Sequence, residues 1–309
     1  MRFTVLASGS AGNASLLQVN GFGLLLDAGI GPRLLAQRLA KAGASWDDIH
    51  AVLLSHTHGD HWGERTLAHL LRRKIPLYCH AAHHDGLAGY SENFANMRDE
   101  NLVLEYEAGK GFAPASGLHC RPLALRHDCL GTFGFRFEVS DDEGGERRSL
   151  AYVSDLGSWS VELAEALADV DLLALEFNHD VILQQASGRP PYLIHRVLGQ
   201  NGHLSNLQAA ALLKAILQRS VPGRLRHVIQ LHLSRDCNRP ELARQAAQAV
   251  LADLAEVELY TARQDEVSPT FVLDAPPNGG IVYLNRPGFR RKIEAEFTNS
   301  VQRLLPGMG

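Results

Sequence analysis

The segment Leu53-Leu54-Ser55-His56-Thr57-His58-Gly59-Asp60-His61 constrains this chain more than any other. An apolar run over residues 51–54 stops abruptly at three histidines and an aspartate packed into six positions. A loop that rich in ligand-type side chains, set directly after a buried strand, points to a scaffold that holds it at a strand end. In an extended segment residues two apart face the same side, so His56 and His58 can share one ion. The turn at Gly59 then carries Asp60 and His61 round to a second. Fifteen histidines against three methionines fit the same chemistry, since imidazole is the commonest metal ligand and proton carrier.

The flanking sequence supplies the scaffold. Residues 2–7 read as a strand, followed by the small-residue loop Ser8-Gly9-Ser10-Ala11-Gly12-Asn13 and apolar runs at 16–19 and 24–26. Pro32 at a first turn and Gly43 just past the end mark a helix over 32–42. A helix near 64–73 and a strand at 76–79 follow, then a helical or loop stretch rich in His and Ala. Phe133, Phe135, Phe137 and Val139 alternate as a strand. With the turn chemistry of residues 141–145 and the run 150–153 they predict a hairpin. Helices at 161–168, 207–217 (capped by Ser205) and 241–254 alternate with strands at 172–175 and 227–231. Two sets of strands with helices between and after them predict a layered α/β domain, sheets inside and helices outside.

Composition closes off other classes. A chain of 309 residues buries roughly 75% of its unfolded surface, and 45% hydrophobic with 21% charged residues is ordinary for a globular domain. No stretch approaches the ~20 apolar residues of a membrane span, and no signal-peptide core follows Met1. A cytoplasmic protein is the expectation. Cys79, Cys120, Cys129 and Cys237 are scattered without a CxxC pair, a pattern of reduced thiols. The net charge of −4 lacks the basic excess of a dedicated nucleic-acid-binding domain.

The run His56, His58, Asp60 and His61 after a strand resembles the HxHxDH signature of the metallo-β-lactamase superfamily. That resemblance implies a four-layer αββα sandwich over residues 1–274 and three further ligands. Local context assigns these to His127, before a Gly-and-aromatic strand; to Asp155, on a turn after the strand 151–154; and to His232, at the end of the strand 228–231. His119 sits inside an apolar run and reads as a packed strand residue. The ligands would hold two divalent ions, with Zn²⁺ preferred for a nitrogen and carboxylate set and Mn²⁺ an alternative. A carboxylate such as Asp155 can bridge two ions, and a bridging hydroxide formed at neutral pH would be the attacking group. His58 stands where the diiron oxygen-reducing branch carries Glu, which favours a hydrolase.

A narrower resemblance over residues 1–265 is to the YycJ/WalJ-type branch. It rests on residues 8–13, Asp27-Ala28-Gly29, Glu176-Phe177-Asn178-His179-Asp180, Gly202-His203-Leu204-Ser205-Asn206 and His232-Leu233-Ser234-Arg235-Asp236-Cys237-Asn238. It implies a 5′-to-3′ DNA exonuclease. Glu176 and His203 would help protonate the leaving oxygen, Asp60 would act with the metals, and Ser10, Asn13, His179 and Asn238 would contact substrate. Residue-level alternatives stay open: a structural role at the start of a helix for His203, a satisfied loop residue for His179, and a turn-forming rather than ligand-orienting role for Asp27. The nucleic-acid substrate, with DNA favoured over RNA, competes with a small-molecule substrate of a cyclic or nucleotide phosphodiesterase or a thioesterase. The acidic net charge suits the small molecule, whereas Arg72-Arg73-Lys74, Arg147-Arg148, Arg224, Arg226 and a basic extension over 275–309 could supply local phosphate neutralisation. That extension reads either as a solvated tail that packs on the domain or supports a homodimer, or as a phosphate-contacting arm.

Overall fold

Alternating side chains in the strands decide the layers. In β1 (Arg2–Ala7) Phe3 and Val5 face one core and Leu6 another, and in β3 (Phe22–Leu26) Leu24 and Leu26 part from Leu25 in the same way. The computed structural model describes residues 1–139 and 147–273. With β2 (Ala14–Val19), β4 (Ala51–Leu53), β5 (Leu77–His80) and β6 (Val103–Tyr106), these strands form one sheet. The second sheet contains β7 (Phe112–Ala115), β8 (Leu118–Ala124), β9 (Phe133–Val139), β10 (Arg148–Val153), β11 (Leu172–Glu176), β12 (His227–Leu231) and β13 (Glu258–Thr261). A short β14 (Phe271–Val272) returns to pair antiparallel with β1, so the orders are β14-β1-β2-β3-β4-β5-β6 and β13-β12-β11-β10-β9-β8-β7.

Three cores hold four layers together. The central one lies between the sheets and takes Phe133, Phe135 and Phe137 from β9, each full burial contributing roughly 1.5–3 kcal/mol. On the outer face of the first sheet pack α1 (Pro32–Lys41), α2 (Glu64–Arg73), α3 (His84–Ala88) and α4 (Glu92–Asp99), through Leu35, Leu39, Leu67, Leu70, Leu87 and Phe94. The outer face of the second carries α5 (Val161–Ala166), and, after α6 (Val181–Gln185) and α7 (Pro191–Leu198), the helices α8 (Asn206–Leu217) and α9 (Pro240–Val250). This is the expected αββα sandwich. Ser205 caps α8 in a reciprocal capping box with Gln208, as its sequence position implies.

β3 to β6 run parallel, as do β10 to β13. Parallel strands end at one edge of a sheet, where open α/β sheets bind ligands. The loops after β4, β8, β10 and β12 therefore meet at one end of the sandwich. Elements that escaped the sequence reading are mostly edges: β6 and β7 close their sheets, β7 carries Pro114, and β13 and β14 are short. Edge strands are short and polar by necessity and give little alternation to read. His119 does lie in β8, but on its exposed side and not packed. The turn 141–145 and the extension 275–309 lie outside the described residues.

One buried histidine, three residues past the end of β5, makes a pH prediction. His83 donates through Nε2–H to the Gly131 carbonyl at 2.6 Å and accepts the His80 N–H at Nδ1, so both ring nitrogens are used by the neutral form. Burial pushes the imidazole from 6.5 down to about 4. Unfolding then takes up a proton between those values, so the contribution is fully present above pH 6.5 and is lost as pH falls towards 4. At 1.36 kcal/mol per pH unit the loss is roughly 3 kcal/mol. Urea unfolding of wild type and His83→Gln at pH 7 and pH 4.5 checks this: the wild type should lose about 2 kcal/mol more than the variant, and equal losses would refute it.

Candidate metal centre

The loop after β4 places His56, His58, Asp60 and His61 in the cleft between the sheets, and the second sheet answers with His127 after β8, Asp155 after β10 and His232 after β12. Two triads result. His56, His58 and His127 offer three nitrogen atoms, and Asp60, His61 and His232 a carboxylate oxygen and two nitrogens, the atoms of each set within 4.8 Å of one another. Asp155 stands between them: Oδ2 is 3.1 Å from His61 Nε2, and Oδ1 is 3.8 Å from His127 Nε2.

The outer nitrogens are already committed, which orients the inner ones. His127 Nδ1–H donates to the Gly202 carbonyl at 2.8 Å, and His61 Nδ1 meets Asp27 Oδ2 at 2.8 Å. Asp27 also accepts from the Ser55 N–H, the Ser55 hydroxyl and Tyr152 Oη, so it orients a ligand-type histidine in addition to making a turn. Ser55 Oγ lies 2.9 Å from His56 Nδ1. That leaves His56 Nε2 fully buried with no partner among the described residues, while His127 Nε2 and His58 Nδ1 face each other at 3.2 Å. An orphaned imidazole nitrogen within a nitrogen and carboxylate donor set is what a divalent cation would satisfy. The residues fit such an ion.

The electrostatics favour a neutral His56 and ionised carboxyls, the forms that bind cations. Burial and the neighbouring His61, His127 and His58 hold His56 well below the ordinary histidine range, with Asp155 opposing. Burial would raise Asp155, but His232 and His61 overcome it and keep the carboxyl well below the usual carboxylate range. Asp60 is lowered in the same way through hydrogen bonds with His232 and His61.

Glu176 and His203 stand beside the triads. His203 Nδ1 is 2.7 Å from Glu176 Oε1, and its ring lies 4.8 Å from His127 and 5.2 Å from His232. Glu176 Oε2 accepts the backbone N–H groups of Leu156 and Leu204, both at 3.0 Å, and Oε1 also meets His232 Nδ1 at 3.0 Å. Burial, which would lower the His203 imidazole, is outweighed by Glu176, and the pKa is raised. The imidazole is thus held by a carboxylate and stays in reach of solvent.

The expected substrate contacts divide. Ser10 is exposed on its loop. Asn13 is buried and donates to Asp60 Oδ2 at 3.1 Å, which positions Asp60. Asn238 is also buried, its amide donating to the carbonyls of Phe177 and Asn178 and pairing with Asn206. His179 is buried with both ring nitrogens unpartnered among the described residues, and burial lowers it to about 4. Sequence reasoning gave no role to Ser8, whose hydroxyl accepts the His232 N–H at 2.7 Å, or to Asp128, which reaches His58 and His127. Only their position next to proposed ligand motifs could have flagged them. His232 and Asp27 both adopt positive φ, 55° and 58°. The contacts just described over-determine these costly conformations at a site, where such strain is commonly kept.

A four-layer sandwich with this cluster between its sheets defines a metal-dependent hydrolase class. The chain matches the β-lactamase superfamily domain over residues 23–222 and belongs to that superfamily, as one of its metallo-hydrolases. It is 28% identical over 274 residues to exodeoxyribonuclease WalJ of Streptococcus pneumoniae, covering 87% of this chain and 96% of that protein. It is 25% identical over 254 residues to exodeoxyribonuclease YycJ of Bacillus anthracis, covering 82% and 90%. The crystal structure of the metallo-β-lactamase fold protein YhfI from Bacillus subtilis superposes with a TM-score of 0.61 at 18% identity, covering 86% of this chain and 98% of that one. No helix among the described residues is long and apolar enough to cross a membrane.

Proposed function

We propose that this chain is a dinuclear metal-dependent phosphodiesterase acting as a 5′-to-3′ DNA exonuclease. The observation that carries the reading is the pair of triads with Asp155 between them and the Glu176–His203 pair beside them. Its substrate class draws support from the two relatives named exodeoxyribonucleases, which align over most of the chain. His56, His58 and His127 would hold one ion and Asp60, His61 and His232 the other, with Asp155 shared; Zn²⁺ suits the donors best, and Mn²⁺ is the alternative. When bound, such ions supply a water acidic enough to lose its proton near neutral pH and positive charge against the phosphate oxygens.

The chain's own part is proton delivery and alignment. Asn13 and the 8–13 loop hold Asp60, and Asp27 holds His61. The sugar oxygen leaving phosphorus needs a proton, and His203, whose protonated form Glu176 favours, is the group to give it. All four cysteines are free thiols, in keeping with a cytoplasmic setting.

His203→Ala is expected to slow DNA cleavage by about 10²–10⁴-fold, the range for losing a general acid, while leaving bound metal per chain as in the wild type. With bis(p-nitrophenyl) phosphate, whose leaving group needs no proton, the loss should be far smaller. Equal losses on both substrates would remove His203 from that role. The test of the function as a whole is end-labelled single- and double-stranded DNA and RNA, offered to metal-stripped protein and again after Zn²⁺ or Mn²⁺ is restored. Metal-dependent shortening of DNA from the 5′ end is the expected result; activity confined to small phosphodiesters or thioesters overturns it.

A further inference from the structure

A cavity of about 380 Å³ adjoins the centre. Its inner wall is Ser8, which accepts the His232 N–H, with Leu233 and Ser234, the two residues after His232. Its outer wall carries three guanidinium groups, Arg235, Arg239 and Arg263, and no carboxylate lines it among the described residues. Arg235 pairs with Asp265 at 3.1 Å and Arg263 with Glu266 at 3.2 Å, all four side chains more than half exposed. Such solvent-exposed pairs are weak and give way to a better-placed anion. Arg239 donates to the Asn238 carbonyl at 2.6 Å and has no carboxylate partner among the described residues.

Hydrogen bonds join the cavity to the centre. Gln264 Oε1 accepts the Ala11 N–H and its Nε2 donates to the Gly12 carbonyl, both at 2.9 Å, so a wall residue clamps the loop whose Asn13 holds Asp60. Three arginine forks without acidic lining, fixed against a phosphodiester-cleaving centre, suit an anion with several acceptor oxygens, and guanidinium matches phosphate in particular. We propose that this cavity is a phosphate subsite, holding the backbone phosphate next to the scissile one. The assignment rests on the phosphodiesterase reading above and adds how the strand is gripped. In a chain of net charge −4 it would set three arginines against the strand.

The test is Arg239→Ala with Arg263→Ala in the full, metal-loaded protein, alongside Arg239→Lys with Arg263→Lys. The alanine pair should raise KM for single-stranded DNA at least about 10-fold with kcat nearly kept, and the lysine pair should recover most of the loss. Loss on bis(p-nitrophenyl) phosphate, which has no neighbouring phosphate, should be much smaller. Fluorescence anisotropy of metal-free protein with labelled oligonucleotide should show the salt slope reduced by about 0.7 for each phosphate contact removed. Running 5′-phosphorylated and 5′-hydroxyl strands in parallel separates the two sources of the phosphate. A loss confined to phosphorylated ends assigns the terminal group, and an equal loss assigns an internal one. An unchanged KM on both strands, or equal losses on DNA and bis(p-nitrophenyl) phosphate, overturns the subsite while the nuclease reading stands. Wild-type protein that hydrolyses bis(p-nitrophenyl) phosphate and cuts no DNA overturns the nuclease reading, and the subsite with it.

Discussion

Asp155→Asn should give a folded protein whose phosphodiesterase kcat/KM is lower by about 10⁴-fold, close to 5.5 kcal/mol at 1.36 kcal/mol per decade. The carboxylate is buried between the two triads, 3.1 Å from His61, 3.0 Å from His232 and 3.5 Å from His203. Asparagine keeps the shape but deletes the charge, and its NH₂ group turns a donor towards nitrogens that the sharing role requires to meet an acceptor. Both ion positions are affected at once, which is why this loss should exceed that of His203→Ala, where one proton transfer is lost. Metal analysis of the purified variant should show fewer ions per chain than the wild type. Thermal melts should still show one cooperative transition, because the three apolar cores are built from other residues. Wild-type turnover by Asp155→Asn would exclude Asp155 as the shared residue.

How much of this centre could be read from the sequence follows from chain distance. His56, His58, Asp60 and His61 share one loop, so their chemistry is local and visible. His127, Asp155 and His232 join them across 66 to 176 residues, and nothing in their own neighbourhoods demands a metal; a family resemblance was needed to pick them out. The groups that aim the ligands were harder still. The resemblance assigns Asn13 to substrate, and the bond of its amide to Asp60 could be seen only in the fold. Asn238 likewise ties loops together through its bonds to Phe177 and Asn178, which its motif alone does not reveal. Buried strands such as β9 and β11 were legible because one or both faces are apolar, whereas the edges β6, β7, β13 and β14 and the short helices α6 and α7 lack that signal. The arginine-lined cavity was also invisible, because Arg235 and Arg239 meet Arg263 only when β12 and β13 lie side by side.

Gly29→Ala is expected to damage both stability and turnover without touching a ligand. A Cβ at this position would lie 1.7 Å from the Asp60 carbonyl oxygen and 2.8 Å from the His61 nitrogen, and both are backbone atoms that cannot swing aside. The loop bearing Asp60 and His61 must shift, and it is tied in place by two short bonds, Asn13 N–H to the Asp60 carbonyl at 2.7 Å and Ala28 N–H to the His61 carbonyl at 2.8 Å, while Gly29 N–H to the Asn13 carbonyl at 2.9 Å joins the two segments that hold it. Overpacking against fixed backbone costs about 1–3 kcal/mol or more, which in an ordered region of this size lowers Tm by roughly 2–4 °C per kcal/mol. A displacement near 1 Å of groups that align a reaction costs on the order of 10²-fold in rate. Gly31→Ala is the control, since a Cβ there meets nothing within 4 Å and its φ of −60° suits any residue. Melting curves and DNA cleavage by the two variants decide the matter: equal behaviour would mean the loop tolerates a shift, and the close approach of Gly29 to Asp60 would then play no part in holding the centre.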